Sequence, residues 1–531
     1  MYDTTLRDGT QGRGVSFSLQ DKISLTLKLD EFGVHFIEGG CPASNPKDRE
    51  YFNEVGNYKL SNADVVAFTF TRRKDKKADS DPFVTEVLRY NVDVVAVVGN
   101  SSKYYVKNVL RVKPEVNLEM IKDTIEYLVK HGIKVIFDAE HFFDGYKFDS
   151  DYALKVIKEA EDSGAYRIVL CDTNGGSLPY EVGSIVTKVR RSLKTPIGIH
   201  CHNDAGVAVA NTIEAVLAGA IHIQGTINGL GERCGNADLC QVIPNLELKL
   251  GIKALAVNAP RDERLRKLTE ISAYVYDLAN IPPNPYQPYV GKYAFAHKAG
   301  VHIDAVLKYC KAYEHISPEV VGNRRLLTVS EVVGRAGVVS KINELGFPVS
   351  KDDPAVTNIL EEIKKLEYQG YQLEDADATT FLIILKHLGI YDEMFKVTYW
   401  RASVEAEGNS SLIEGAVRVA IGGTSYYEVS RGLGPVHAQD LALRKALSKV
   451  YPEVLNVHLV NYKVSVIDRG MGTASKVRVF MEFSDGKHSW VAVGVSTNIL
   501  EASKEALISG YDYYLQMKRN AQLKCRGSES K

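Results

Sequence analysis

Pro196-Ile197-Gly198-Ile199-His200-Cys201-His202-Asn203-Asp204 is a short apolar run that ends in polar residues. A run of this length without strict polar alternation is typical of a parallel strand that is covered on both faces. Residues two apart in a strand project to the same face, so His200 and His202 lie on one side and Cys201 lies on the other. The segment therefore predicts a buried strand that presents two imidazoles at its carboxyl end.

Similar runs alternate with helical segments from Met1 to about Gly251. The eight strand candidates are Tyr2–Thr4, Phe36–Gly39, Val65–Phe70, Val92–Val98, Lys134–Ala139, Arg167–Cys171, Pro196–Cys201 and Ile221–Thr226. The helical segments, among them Leu19–Phe32, Leu118–Lys130 and Tyr152–Ser163, carry apolar residues at a spacing of three to four. Eight β/α units in about 250 residues match a TIM barrel. We therefore predict an α/β fold with a (β/α)8 catalytic barrel over residues 1–254, and the short first strand suggests native residues upstream of Met1.

Residues 255–395 have a different character, with the Pro-rich Ile281-Pro282-Pro283-Asn284-Pro285 followed by helical segments at Thr328–Leu345 and Pro354–Tyr368. We predict a helical connector here.

Residues 396–516 read as a duplicated α+β unit. The predicted elements are strands Val397–Glu405 and Leu412–Ile421 with helix Pro435–Val450, then strands Val454–Asp468, Lys476–Phe483 and His488–Ser496 with helix Ile499–Tyr513. Such a repeat suits a small binding module. The polar residues 517–531 are expected to form a flexible tail.

Composition excludes several classes of function. The chain has 65 Lys+Arg against 66 Asp+Glu, so chain-wide binding to nucleic acid or to an anionic membrane is not expected. Its 7 Cys form no C-x-x-C pair, and no apolar run reaches the roughly 20 residues of a membrane span. We expect a cytoplasmic protein with reduced thiols.

Asp8 follows the first predicted strand, which neighbours the seventh and eighth strands when a barrel closes. Together with His200 and His202 it would form a two-His-one-carboxylate metal site with open positions for a substrate. Each residue also has a simpler explanation, because Asp8 can cap a turn and two His can end a strand without a metal.

The loop Asn228-Gly229-Leu230-Gly231-Glu232-Arg233-Cys234-Gly235-Asn236 follows the eighth predicted strand. Asn236 is placed either to cap the next helix or to offer an amide oxygen to the His pair. The Gly spacing does not match a dinucleotide fingerprint, so a nicotinamide cofactor is rejected.

Polar residues also end the second, fifth and sixth predicted strands. They are Glu38, Glu140, His141, Asp172, Thr173 and Asn174. Only the carboxyl-terminal mouth of a barrel brings so many strand ends together, so we predict one shared active site there.

Four motifs together resemble the isopropylmalate, homocitrate and citramalate synthase family. They are Thr4–Gln11, His200–Asp204, Gly231–Asn236 and Phe295-Ala296-His297-Lys298-Ala299-Gly300-Val301-His302. The resemblance covers nearly the whole chain and extends into the duplicated module. The barrel of this family also serves related aldol-type lyases and carboxyl transferases.

The resemblance implies a divalent cation bound by Asp8, His200 and His202, with Asn236 in or near its shell. We expect Mg²⁺ or Mn²⁺, with Zn²⁺ or Co²⁺ as alternatives, because this ligand set accepts all four. The resemblance also places Arg7 beside the substrate carbonyl.

Two further groups of residues take roles from the resemblance. Thr173, in the pair Asp172-Thr173, is implied to bind the carboxylate of a 2-oxo acid. Glu140, His302 and Tyr313 are implied to supply the acid/base group. The connector delivers the last two, and Tyr309 competes with Tyr313 for its role.

Residues 38–48 and 138–147 are most similar to the longer citramalate synthases of the family. This similarity implies condensation of acetyl-CoA with pyruvate, with 2-oxoisovalerate as the alternative substrate of an isopropylmalate synthase. Cys41 departs from the Trp expected at that position.

The duplicated module is expected to bind an end-product amino acid, isoleucine, and the family implies a homodimer. Two glycine-rich segments, Gly432–Ala438 and Gly494–Asn498, approach predicted helix N-termini that can hold a carboxylate. The alternatives are an aldol lyase, which the appended module disfavours, and an amino-acid sensor with an inactive barrel, which the intact polar set disfavours.

Overall fold

The computed structural model describes residues 1–256, 261–328, 330, 332–407, 410–468 and 470–528. It divides the chain into two compact units. The first unit comprises Met1–Phe295 and Ile316–Arg325, and the second comprises Ala296–His315 and Leu326–Lys531. Among the described residues, no helix combines the length and the apolar character needed to cross a bilayer.

The first unit is built on a closed barrel of eight parallel strands. They are β1 Tyr2–Asp3, β2 Phe36–Gly40, β3 Asp64–Phe70, β4 Val94–Asn100, β5 Lys134–Glu140, β6 Arg167–Asp172, β7 Ile197–Cys201 and β8 His222–Gly225. Each strand pairs with its neighbours in chain order, and β1 closes the barrel by pairing with both β2 and β8. The predicted TIM barrel is confirmed, with every strand boundary within 2 residues of its predicted position.

Helices alternate with these strands and continue beyond β8. They are α1 Leu19–Phe32, α2 Pro46–Val55, α3 Pro82–Glu86, α4 Lys103–Tyr105, α5 Pro114–Lys130, α6 Phe142–Phe148, α7 Ser150–Asp162, α8 Pro179–Ser192, α9 Ala208–Leu217, α10 Leu239–Pro244, α11 Arg261–Leu265 and α12 Leu268–Leu278. Local signals set the ends of α1, because Ser18 and Asp21 form a capping box and Gly33 ends the helix at φ 99°.

The strands face two separate groups of buried side chains. Val95 and Val97 of β4 pack with the main core that includes the helices, whereas Val94 and Ala96 belong to a smaller cluster made largely of strand residues. This alternation follows from the two-residue period of a strand. The smaller cluster includes Tyr2, so side chains from several strands fill part of the barrel interior.

The connector region of the second unit contains two short parallel strands and four helices. They are β9 Ala296–His297, α13 Gly300–Lys308, β10 Leu326–Leu327, α14 Arg335–Glu344, α15 Pro354–Tyr368 and α16 Asp377–His387. The prediction for α15 is confirmed. The helix predicted over Thr328–Leu345 is wrong at its start, because β10 pairs with β9 immediately before it and Gly334 is the N-cap of α14.

The C-terminal region contains two antiparallel three-stranded sheets, each followed by a helix. They are β11 Lys396–Glu407, β12 Ser410–Ile421, β13 Thr424–Arg431 and α17 Pro435–Leu447, then β14 His458–Val466, β15 Val477–Ser484, β16 Ser489–Ser496 and α18 Ile499–Ser528. The duplication is confirmed, and β13 is an additional strand. Gly422 and Gly423 form its hairpin turn with φ 56° and 84°. Helix α18 continues past the predicted end at Tyr513.

Candidate metal centre at the carboxyl ends of the barrel strands

Asp8, His200 and His202 come together where β1 and β7 end. Oδ2 of Asp8 lies 3.3 Å from Nε2 of His200 and 3.9 Å from Nε2 of His202. The two Nε2 atoms are 3.4 Å apart. All three side chains are buried, and their ligand atoms lie within 4.8 Å of one another. The arrangement predicted for these three residues is therefore present in the fold.

Asp8 does not act as a turn cap, which was its alternative explanation. A 3-10 helix follows at Gly9–Gln11, but the side chain of Asp8 makes no capping hydrogen bond. Its carboxylate faces the two imidazoles instead.

The orientation of His200 depends on a residue that sequence reasoning missed. Nδ1 of His200 lies 2.9 Å from Oε1 of Gln224, and Nε2 of Gln224 donates to Oδ1 of Asp138 at 2.9 Å. Both of these partners are buried, on β8 and β5 respectively. The available signal was the pair of polar residues His222 and Gln224 at alternate positions of the short strand Ile221-His222-Ile223-Gln224.

Asn236 lies beside His202, with which it forms an isolated β-bridge. The N-cap of α10 is Asp238 and not Asn236, so the capping explanation for Asn236 is wrong. Its Nδ2 donates to the carbonyl of Leu230 at 3.1 Å. Its Oδ1 is buried and has no hydrogen-bond partner in the described part of the chain. Buried polar atoms are normally paired, so this oxygen is available to bind a ligand.

Arg7 is held beside this cluster by the buried carboxylate of Glu38. Nε of Arg7 donates to Oε2 of Glu38 at 2.7 Å, and Nη1 lies 3.7 Å from Oδ1 of Asp8. The guanidinium carbon stands 4.3 Å from the ring centre of Phe68. Glu38 also accepts hydrogen bonds from Tyr2 and Thr4. Arg7 therefore has one fixed orientation next to the candidate metal ligands.

Electrostatics keep Asp8 and His202 in forms that can bind a cation. Burial alone would raise the pKa of Asp8, but Arg7 and His200 hold it well below its usual range. Burial and the neighbouring His200 lower the pKa of His202 to about 4. Asp8 is therefore ionised and His202 neutral near pH 7, which are the states a metal requires.

Glu140 and Thr173 end neighbouring strands of the same barrel mouth. Oε2 of Glu140 accepts from Nδ2 of Asn100 at 3.0 Å. Oγ1 of Thr173 accepts from the backbone N–H of His141 at 2.8 Å, which leaves the hydroxyl proton free to be donated to a substrate oxygen.

Asp172 has a different environment from Thr173. Its carboxylate accepts from the hydroxyl of Ser177 at 2.9 Å and from the backbone N–H of Ser177 at 3.2 Å. Burial raises the pKa of Asp172. These contacts support a role in holding the loop after β6.

A cavity of about 350 Å³ lies beside Arg7. Its lining includes Phe68, Phe70, Lys47 and Cys41. The departure from the family pattern at position 41 therefore bears directly on the space next to Arg7.

His302 and Tyr313 belong to the second unit. Their rings stack with centroids 4.1 Å apart and an interplanar angle of 28°. This contact favours Tyr313 over Tyr309 as the partner of His302.

The chemistry of the donor set fits a divalent cation. Two imidazoles and one carboxylate converge, and Asn236 offers an amide oxygen that lacks a partner within the described residues. Such a mixed set binds first-row divalent metals and leaves positions open for a substrate.

Comparisons with known families assign most of the chain. The HMGL-like family matches residues 1–275, the homocitrate synthase post-HMGL domain-like family matches residues 289–371, and the LeuA allosteric (dimerisation) domain matches residues 374–515. The three matches follow one another in the order barrel, connector region and duplicated module.

Full-length relatives show the same affiliation. The chain is 50% identical over 519 residues to an (R)-citramalate synthase of Sulfolobus acidocaldarius, covering 98% of this chain and 97% of the relative. It is 47% identical over 518 residues to an (R)-citramalate synthase of Aquifex aeolicus, covering 97% of each chain. A probable 2-isopropylmalate synthase of Archaeoglobus fulgidus is 30% identical over 521 residues, covering 98% of each chain. The chain therefore belongs to the HMGL-like family and, within it, to the isopropylmalate, homocitrate and citramalate synthases.

Proposed function

We propose that this chain is an acyltransferase that condenses acetyl-CoA with pyruvate and hydrolyses the CoA thioester, giving (R)-citramalate and CoA. The observation that carries the proposal is the convergence of Asp8, His200 and His202 beside Arg7, in a chain whose relatives at 47 to 50% identity are described as (R)-citramalate synthases. The product would serve isoleucine biosynthesis. A sensor with an inactive barrel would have no need for this buried set of ligands.

Asp8, His200 and His202, with the amide oxygen of Asn236, would hold a divalent cation, most simply Mg²⁺ or Mn²⁺. Such a cation acts as a Lewis acid that polarises the ketone of a bound 2-oxo acid. Arg7 points its guanidinium at the same region and stabilises the negative charge that develops on the ketone oxygen. Thr173 donates its free hydroxyl proton to the substrate carboxylate, while Asp172 supports the loop through Ser177.

A base must remove a proton from the methyl group of acetyl-CoA before the new bond can form. We assign this proton transfer to Glu140, His302 and Tyr313, and a well-positioned base contributes about 10² to 10⁴-fold. The methyl carbon then attacks the ketone carbon of pyruvate, the ketone oxygen takes up a proton, and water cleaves the thioester to release CoA. The hydrolysis makes the condensation effectively irreversible and disfavours operation as an aldol lyase.

The proposal extends to the oligomeric state, the regulation and the cellular location of the protein. The match of residues 374–515 to a dimerisation domain supports a homodimer, and isoleucine is the proposed feedback inhibitor. Cys41, Cys171, Cys201, Cys234, Cys240 and Cys310 are free thiols, which supports a cytoplasmic location.

The test is release of the CoA thiol from acetyl-CoA, followed with pyruvate and with 2-oxoisovalerate under the same conditions. We expect a higher kcat/KM for pyruvate and (R)-citramalate as the product. Each additional carbon is worth about 1 to 3 kcal/mol of discrimination in a fitted pocket. A higher kcat/KM for 2-oxoisovalerate would reassign the enzyme to isopropylmalate synthesis, and no thiol release with either acid would refute the catalytic proposal.

A further inference from the structure

We propose that Gln224 is a positioning residue that fixes the tautomer of His200, and that Asp138 fixes the orientation of the Gln224 amide. The inference rests on the proposed cation at Asp8, His200 and His202. It assigns a role to two buried residues that bind neither metal nor substrate in the proposed mechanism.

The contacts form a series of hydrogen bonds across the interior of the barrel. Gln224 is 1% exposed and Asp138 is 4% exposed, so water competes for neither side chain. The amide oxygen of Gln224 faces Nδ1 of His200 at 2.9 Å, and the amide nitrogen faces Oδ1 of Asp138 at 2.9 Å. The three residues come from β5, β7 and β8, so this series of hydrogen bonds forms only in the folded barrel.

The chemistry of each group decides which atom donates and which accepts in this series of hydrogen bonds. An oxygen of Asp138 accepts a hydrogen bond, so the NH₂ end of the Gln224 amide turns towards it. The carbonyl end then faces His200 and can only accept, so Nδ1 of His200 must carry the ring proton. In the neutral ring the lone pair then lies on Nε2, on the side where Asp8 and His202 lie 3.3 and 3.4 Å away, and it is available to the proposed cation.

The reversed amide would have the opposite effect. It would set the oxygen of Gln224 against the acceptor of Asp138 and present NH₂ to Nδ1 of His200. The ring proton would then move to Nε2, where it blocks coordination. Hydrogen bonds that orient a ligating imidazole in this way are typically worth 10 to 100-fold in metal affinity.

The experiment measures cation affinity and not turnover. Metal-free full-length enzyme is titrated with Mn²⁺, and free Mn²⁺ is counted by electron paramagnetic resonance. We expect Gln224→Leu to weaken the Kd for Mn²⁺ by about 10 to 100-fold, because it removes the acceptor at Nδ1. Gln224→Glu should weaken binding less than Gln224→Leu, because one carboxylate oxygen still accepts from Nδ1 while the other loses the donor that faced Oδ1 of Asp138. Asp138→Asn should weaken binding by a smaller factor, because Asn can present either end of its own amide.

Gln439→Leu is the matched control, because Gln439 is a buried glutamine of α17 in the second unit. It should leave the Kd unchanged. Melting of each metal-free variant checks the fold, and if Gln224→Leu does not fold, Asp138→Asn carries the test. Wild-type affinity in Gln224→Leu, or in Asp138→Asn where that variant carries the test, overturns the inference. An absence of Mn²⁺ binding by the wild type refutes instead the proposed cation site on which the inference depends.

Discussion

Nε2 of His200 and Nε2 of His202 lie 3.4 Å apart, and both face the same oxygen of Asp8. Two imidazolium rings at this distance would repel each other, and the pKa of His202 is accordingly lowered to about 4 by burial and by His200. His202 is therefore held as a neutral ring, and the two Nε2 atoms are close enough to share one metal ion.

The first prediction is that His202→Ala abolishes thiol release while the fold is retained, because the variant loses one of the four residues proposed to hold the cation. Wild-type enzyme treated with a chelator should lose activity in the same way and regain it with Mg²⁺ or Mn²⁺. His488→Ala is the control, since this side chain is 82% exposed in the C-terminal region. Full activity of His202→Ala in chelator-treated buffer would refute the proposal that His202 holds an essential cation.

The second prediction concerns the orientation of Arg7. Glu38→Gln removes the charge that faces Nε of Arg7 at 2.7 Å and places an NH₂ group among the donors Arg7, Tyr2 and Thr4. We expect kcat to fall by about 10 to 100-fold, because a small misplacement of a catalytic group has effects of this size. Steady-state kinetics measure the change, and Glu119→Gln, at a largely exposed carboxylate, should leave kcat unchanged. An unaltered kcat in Glu38→Gln would show that Arg7 does not depend on this ion pair.

Local patterns were sufficient to locate the barrel and the candidate metal ligands. The strands are short apolar runs between amphipathic helices, and the ligands stand directly where β1 and β7 end, so chain order alone places them at one mouth. The hydrogen-bond partners of these residues could not be predicted in this way. Gln224 contacts His200 and Asp138, which are 24 and 86 residues away in the chain, and no local pattern encodes such a contact.

The missed elements have equally specific causes. No strand is predicted from the sequence over Thr424–Arg431, although this segment pairs with the adjacent strand β12. Its side chains alternate only weakly between buried and exposed. The helix predicted from Thr328 begins only at Arg335, after the N-cap Gly334, and residues 329 and 331 lie outside the described residues. Leu326 and Leu327, just before Thr328, form β10 by parallel pairing with β9, about 30 residues earlier in the chain, and no local pattern encodes such a contact.

The third prediction concerns stability against pH. Asp3 is fully buried, and burial raises its pKa to about 7, whereas an unfolded Asp titrates near pH 3.9. Between these values the folded state holds a proton that the unfolded chain has released. The contribution of Asp3 to the free energy of unfolding therefore falls as pH rises from about 4 to 7 and then levels, by an amount on the order of 4 kcal/mol.

Asp3→Asn does not titrate, so this contribution to the pH dependence should disappear. We expect the Tm of the variant to rise relative to the Tm of the wild type as the pH is raised from 5 to 8. Thermal melts in matched buffers measure the difference, and Asp64→Asn, at an exposed side chain of β3, should run parallel to the wild type. Parallel profiles for Asp3→Asn and wild type would contradict the prediction.

The last prediction is that the full-length enzyme binds isoleucine and that the site uses the N-terminus of α17. The two glycine-rich segments differ in the structure, because Asn498 caps α18 with a bond from the N–H of Leu500 at 2.9 Å, while Gly434 at the start of α17 supplies no side-chain cap. Free N–H groups at a helix N-terminus bind a carboxylate.

Gly434 also allows a sharp test of this site. Its φ is −159°, which any residue adopts, and an added Cβ would meet no atom within 4 Å. Gly434→Asp should cap α17 with its own carboxylate, repel the carboxylate of an amino acid, and abolish both isoleucine binding and inhibition. Gly434→Ala should leave both intact, since it adds neither charge nor acceptor. Calorimetric titration with isoleucine, leucine and valine measures binding, and isoleucine should change the affinity for substrate by about 5 to 150-fold, as allosteric coupling typically does. If the wild type binds none of the three amino acids, the regulatory role is ruled out. If Gly434→Asp binds isoleucine as tightly as the wild type, the site does not use the N-terminus of α17.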